Sequence, residues 1–194
     1  MLFCDMKNIK LLAIFVAFIP ASLLAQDYKL VWSDEFNYTG KPDTAVWSFE
    51  NGFERNMEDQ WYCDRNATCS GGLLVIEARR EDVVNPDYKE GSGDWRKSRE
   101  KALITSSSIR TMGKKDFLYG RLEVRAKIPV RGGAWPAIWT LGSYMEWPSC
   151  GEIDIMEYYR IKEVPHILAN AAWGTDEKYV AHWNTKTVPF THFT

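Results

Sequence analysis

The chain has 194 residues, 45% of them hydrophobic, and a formal net charge of −2. That length and composition suit one domain with a packed core. A near-neutral balance, with no Lys/Arg stripe and no Gly-rich phosphate loop, argues against nucleic acid and nucleotide partners. Nine tryptophans are the compositional outlier. An indole offers a broad apolar face with one N–H donor, suited to stacking on the C–H face of a pyranose, although indoles also fill cores.

At the start of the chain, Lys7 and Lys10 precede an apolar run, Leu11 to Leu24, that ends at Ala25. The run is about 14 residues, short for a membrane span and of the length of a signal-peptide apolar region. Residues 1–25 are therefore expected to be a secretory signal peptide and 26–194 the exported domain, with no stable membrane partner. Cys4 precedes the run and no Cys stands directly after the cleavage position, where Gln26 and Asp27 lie, so no lipid anchor is suggested. Export makes a Cys63–Cys69 disulfide chemically permissible; the alternative is three small buried thiols, Cys63, Cys69 and Cys150. Cys150 has no His partner nearby in sequence and is not expected to be a nucleophile.

Helix-period segments are scarce after residue 25. Strand patterns cover 73–78, 102–110, 120–128, 134–141, 152–159 and 167–173. Turn clusters such as Ser70-Gly71-Gly72, Gly91-Ser92-Gly93 and Arg131-Gly132-Gly133 punctuate them. This predicts an all-β sandwich or barrel. Residues 81–101, polar and without a period, read as a long surface loop. Over 120–128 the alternation predicts Leu122, Val124, Ala126 and Ile128 toward the core. Glu123, Arg125 and Lys127 then lie on a solvated face or line a groove.

Glu152-Ile153-Asp154-Ile155-Met156-Glu157 sets three carboxylates into an otherwise apolar strand. A carboxylate on a half-buried strand loses hydration, so three together imply catalysis or cation binding. Glu152 and Asp154 share a face by the two-residue period. Glu157 has the wrong parity, and one extra residue around Ile155-Met156, a β-bulge, returns it to that face. Ile153 and one of Ile155 and Met156 are then expected to anchor the strand in the core. The two glutamates span roughly 13–16 Å of backbone at ~3.3 Å per residue. After side-chain reach this leaves a gap of about 5–8 Å, compatible with retaining or inverting glycosidases. Mutual repulsion would split the titrations, leaving one carboxylate anionic and another protonated. Trp135-Pro136-Ala137-Ile138-Trp139 upstream, with Trp147 and Tyr158-Tyr159 flanking the acids, favours sugar cleavage over a hard-cation site.

Gly151-Glu152-Ile153-Asp154-Ile155-Met156-Glu157-Tyr158 resembles the bulged active-site signature of glycoside hydrolase family 16. So do Tyr119-Gly120-Arg121 through Pro129, Gly133 to Trp139, and Val31-Trp32-Ser33-Asp34-Glu35-Phe36, most like the laminarinase branch. The resemblance, from about Leu30 onward, implies a concanavalin-like β-jelly-roll sandwich of two antiparallel sheets with a concave sugar cleft. It implies a secreted endo-acting retaining hydrolase of a β-linked polysaccharide, with no cofactor, a polysaccharide as its partner and a monomeric state. A structural calcium is left open, with no ligand set to name. Glu152 would be nucleophile, Glu157 general acid/base and Asp154 the assisting carboxylate. Trp135, Trp139 and Trp173 would contact substrate, and Asn51 would bond a sugar hydroxyl. β-1,3-Glucan or mixed-linkage β-1,3-1,4-glucan is the first expectation. Ala172 stands where laminarinases carry a His, which admits a galactan; a non-catalytic sugar binder on the same fold is the further alternative. The chain is shorter than the family's usual domain, and C-terminal strands are expected to be missing.

Overall fold

The computed structural model describes residues 28–190, so the expected signal peptide lies outside the described residues. Residues 28–31 belong to a separate N-terminal unit and carry no regular element. From Trp32 onward the elements run β1 (Ser48–Phe49), β2 (Gln60–Tyr62), β3 (Ala67–Ser70), β4 (Leu73–Ile76) and β5 (Arg79–Val84). There follow α1 (Trp95–Ser98), β6 (Lys101–Ser106), β7 (Ile109–Arg110), β8 (Ala137–Leu141), β9 (Glu152–Ile161), β10 (Val164–Gly174) and β11 (Ala181–Pro189). A 3-10 turn covers Asp64–Asn66.

Among the described residues these strands form four sheets, in the orders β1-β7, β11-β10-β9-β8, β2-β6-β5 and β3-β4. All pairings are antiparallel except β2 with β6, which is parallel because β3 to β5 intervene and reverse the chain before β6 returns. Two tight hairpins have contrasting chemistry. Gly71 and Gly72, with φ of 59° and 76°, turn β3 into β4. Both central residues are left-handed, the hairpin geometry that matches strand twist. Lys162 and Glu163, with φ of 49° and 66°, make the same reversal between β9 and β10 without a glycine. A small core packs Phe53, Trp61, Cys63 and Ala102 against Val83 and Trp95.

Several expectations are corrected. Residues 81–101 are not one loop: β5 extends into them as far as Val84, α1 lies within them, and Asp94 caps α1 by accepting from the Arg96 N–H. Residues 120–128 form no strand, and Leu122, Val124 and Ala126 are exposed. Alternation suits a strand, but a ladder partner makes one, and no described segment pairs there. Ile153 does not anchor β9; it is 58% exposed. Among the described residues the cysteines are free thiols, Cys63 and Cys69 buried and Cys150 half-buried. Cys63 Sγ donates to Asn66 Oδ1 at 3.1 Å rather than bridging to Cys69. Among the described residues no helix is long and apolar enough to cross a membrane.

Candidate active site

The central strand of the four-stranded sheet carries the three acids, and the pairing on both of its sides reveals how they come to one face. Against β8, Ile138 pairs with Met156 but Trp139 pairs with Asp154, leaving Ile155 without a partner. Against β10, Leu168 pairs with Glu157 and Asn170 with Asp154, again one residue short. Ile155 is thus the extra residue of a β-bulge, which restores Glu157 to the face of Glu152 and Asp154. Residues directly opposite in antiparallel strands share a face. Ala137, Trp139 and Leu141 of β8 and Leu168, Asn170 and Ala172 of β10 therefore line the acid face as well.

Each glutamate is held by N–H donors. The Trp147 indole N–H donates to Glu152 Oε2 at 2.6 Å. Glu157 accepts from the Trp135 indole N–H at 3.0 Å and the Tyr159 hydroxyl at 3.4 Å on Oε1, and from Asn170 Nδ2 at 2.6 Å on Oε2. Asp154 lies between them, 3% exposed. Burial pushes the Glu152 carboxyl up from its ordinary value, the Trp147 N–H draws it down, and the charge and hydrogen bond of Asp154 push it up again. Burial also raises the Glu157 carboxyl, aided by the charge of Asp154 and opposed by its three donors. Both shifts follow from lost hydration plus like charge. The Tyr159 phenol is likewise raised, by burial and by Glu157 beside it.

The expected aromatic residues divide by face. Trp135 borders Glu157 and packs on Tyr159, ring centroids 5.0 Å apart. Trp139 stands opposite Asp154, with the Arg55 guanidinium 5.3 Å from its ring centroid. Arg55 is pinned by an ion pair to the buried Glu50, which also binds Arg110 at 3.1 Å. Trp173 does not join the acids. It follows Ala172 on β10, so strand parity turns it to the opposite face, against His182 at 5.7 Å. Trp183 of β11 pairs with Ala172 and takes the acid-face position instead, its ring 6.2 Å from that of Trp147. Asn51 is exposed, its backbone N–H donating to Glu54 Oε1 at 3.3 Å. Among the described residues no contact joins Asn51 to the acids.

Trp183 and Arg55 were missed because nothing local marks them; a cross-strand register and a ring contact do. Trp147 and Tyr159 flank the acids in sequence, but their contacts depend on loop and strand geometry. Asn170 is found only once β10 is laid beside β9. Among the described residues no group of His, Cys, Asp and Glu side chains is arranged to hold a metal ion, the three acids included. A strand-borne carboxylate set with N–H donors on its outer members suits proton transfer and nucleophilic attack better than cation binding.

Comparison with known proteins agrees with this geometry. A sequence profile of the XgeA-like, catalytic GH16 domain matches residues 47–185. A β-glucanase of Rhodothermus marinus is 41% identical over 145 residues, covering 69% of this chain and 45% of its own length. A structure from work on endo-acting O-glycanases, which prominent human gut bacteria express to initiate mucin breakdown, is also similar. It superposes with a TM-score of 0.74 at 38% identity, covering 82% of this chain and 58% of that one. The R. marinus laminarinase structure superposes at 0.65 with 34% identity, covering 84% of this chain and 62% of that one. The chain therefore spans less than half of that curated relative and under two thirds of these solved structures. Its sheets take the β-jelly-roll architecture of these relatives, with the acid strand central in its sheet. On the profile match and the identity to the β-glucanase, this chain belongs to glycoside hydrolase family 16.

Proposed function

We propose that the chain is the catalytic part of a secreted, endo-acting, retaining glycoside hydrolase. Its substrate in this reading is a neutral β-linked glucan, β-1,3 or mixed β-1,3-1,4. The bulge at Ile155 carries the proposal: it gathers three carboxylates on one face, with donors on the outer two. Glu152 attacks the anomeric carbon, forming the bond from its carboxylate oxygen to the sugar. Glu157 gives its proton to the departing glycosidic oxygen, then takes one from the water that releases the sugar. Asp154, buried against both, holds Glu152 in place and keeps Glu157 protonated through its charge. Trp135 and Trp139 offer apolar faces to the sugar rings beside the scissile bond. The protein works as a monomer without a cofactor and is exported by residues 1–25.

A second substrate class, a galactose-containing glycan, is supported by Ala172, which stands where a laminarinase His is expected.

The mechanism is tested with Glu152→Ala. Cleavage should vanish and return on adding azide, giving a glycosyl azide of inverted configuration. Near-normal turnover by Glu152→Ala would refute the assignment. Parallel assays on laminarin, mixed-linkage glucan, agarose and mucin O-glycans separate the two substrate readings.

A further inference from the structure

The loop from β1 to β2, residues 50–59, carries Arg55. Its guanidinium lies over two rings at once, 5.7 Å from the Tyr62 centroid and 5.3 Å from that of Trp139. Tyr62 belongs to β2 and Trp139 to β8, strands of different sheets. Trp139 stands opposite Asp154 and so on the acid face. One face of that indole is therefore covered by a cation. Among the described residues β8 is an edge of its sheet, so no further strand supports Trp139 from the other side.

The placement of Arg55 is built into the loop. Asn56 and Met57, directly after it, have φ of 55° and 53°, two successive left-handed residues without a glycine. Such backbone persists where the surroundings over-determine it. Here Arg99, just past α1, donates to Glu58 O at 2.6 Å and to Met57 O at 2.9 Å. Arg96 of α1 donates to Glu54 O at 2.8 Å, so the loop is gripped on both sides of Arg55. The guanidinium itself is fixed by an ion pair to the buried Glu50. Glu50 also accepts from Ser108 Oγ at 2.6 Å and from Arg110 at 3.1 Å. It keeps those two partners without Arg55, so satisfying Glu50 does not account for the reach of Arg55 to Trp139.

A planar guanidinium packs flat on an indole, and the contact strengthens as the cation loses water. The Arg55 side chain is 28% exposed, little enough for that contact to hold a ring in place. We propose that Arg55 is a positioning residue for the glycosidase, clamping Trp139 so that the free face of its indole meets the sugar at a fixed angle. The inference rests on the glycosidase reading, and Arg55 acts through Trp139 rather than on the reacting atoms.

Arg55→Lys keeps a charge for Glu50 and removes the planar group. KM for laminarin should rise about fivefold with kcat unchanged, because a platform that binds substrate and transition state alike affects KM alone. Arg110→Lys alters the other ion pair on the same Glu50 oxygen and should leave KM in place. In a Trp139→Ala background, Arg55→Lys should add nothing further, since the ring it acts through is gone. An unchanged KM in Arg55→Lys would overturn the proposal. So would an equal rise in Arg110→Lys, or an Arg55 effect undiminished in the Trp139→Ala background. The clamp is also read without turnover. The near-ultraviolet circular dichroism of Trp139, taken as the difference from Trp139→Phe, should weaken when Arg55 is Lys. If the protein cleaves no β-glucan, the glucan reading fails and the dichroism decides alone: an undiminished Trp139 signal refutes the clamp.

Discussion

Replacing Trp147 with Phe keeps the ring and removes one N–H, the donor that reaches Glu152 Oε2 at 2.6 Å. A hydrogen bond to a charged group contributes about 1.5–3 kcal/mol net. Trp147 is 39% exposed and solvent takes up part of that loss, so the lower end, about 1.5 kcal/mol, applies. This corresponds to about a tenfold fall in kcat. The pH profile adds a sign. The Trp147 N–H draws the Glu152 carboxyl down against burial and Asp154. Without it the carboxyl rises further, and more of the nucleophile is protonated at low pH. The acidic limb of kcat/KM should therefore move to higher pH, narrowing the bell from that side. The assay is reducing-end release from laminarin across pH for both proteins. Because the acids titrate as a coupled set, the limb rather than a single group is compared. An acidic limb that stays in place, or moves to lower pH, would refute the argument.

Asn170→Ala removes the Nδ2 donor from Glu157 Oε2, one of the groups that hold this carboxyl down. The general acid then keeps its proton to higher pH. The basic limb should move up and widen the bell, with kcat falling about tenfold; a basic limb moving down would contradict it. Gly142→Ala would drive a Cβ into the Cys150 backbone carbonyl and distort the loop that carries Trp147. Overpacking against backbone costs about 1–3 kcal/mol, a fall in melting temperature of about 5 °C. Laminarin cleavage should fall more than the global destabilisation alone accounts for. Calorimetry and rate measurement on one preparation check both effects.

The glycine-marked turn and the unmarked one bound what sequence can carry. Gly71-Gly72 announces a reversal because its residues tolerate left-handed backbone, whereas Lys162-Glu163 adopts the same geometry only because the paired strands on either side impose it. Residues 120–128 err in the opposite sense: the two-residue period is present, but the ladder partner that would make it a strand is not among the described residues. Likewise β5 and α1 lie in a stretch without apolar period, where pairing to β6 and an Asp cap outweigh the weak local pattern.

At the site, the spacing of Glu152, Asp154 and Glu157 within one strand was sufficient to require the bulge, because side-chain direction along a strand is a property of the chain itself. Which tryptophans stand over those acids was not. Trp173 and Trp183 look alike in sequence, and only the pairing of Ala172 with both Glu152 and Trp183 turns one away from the acids and the other toward them. The donors on the carboxylates have the same origin, Trp147 arriving from a loop and Asn170 from the next strand. Periodicity is local and can be read along the chain; register is a long-range agreement between strands, and it is the tertiary structure that sets it.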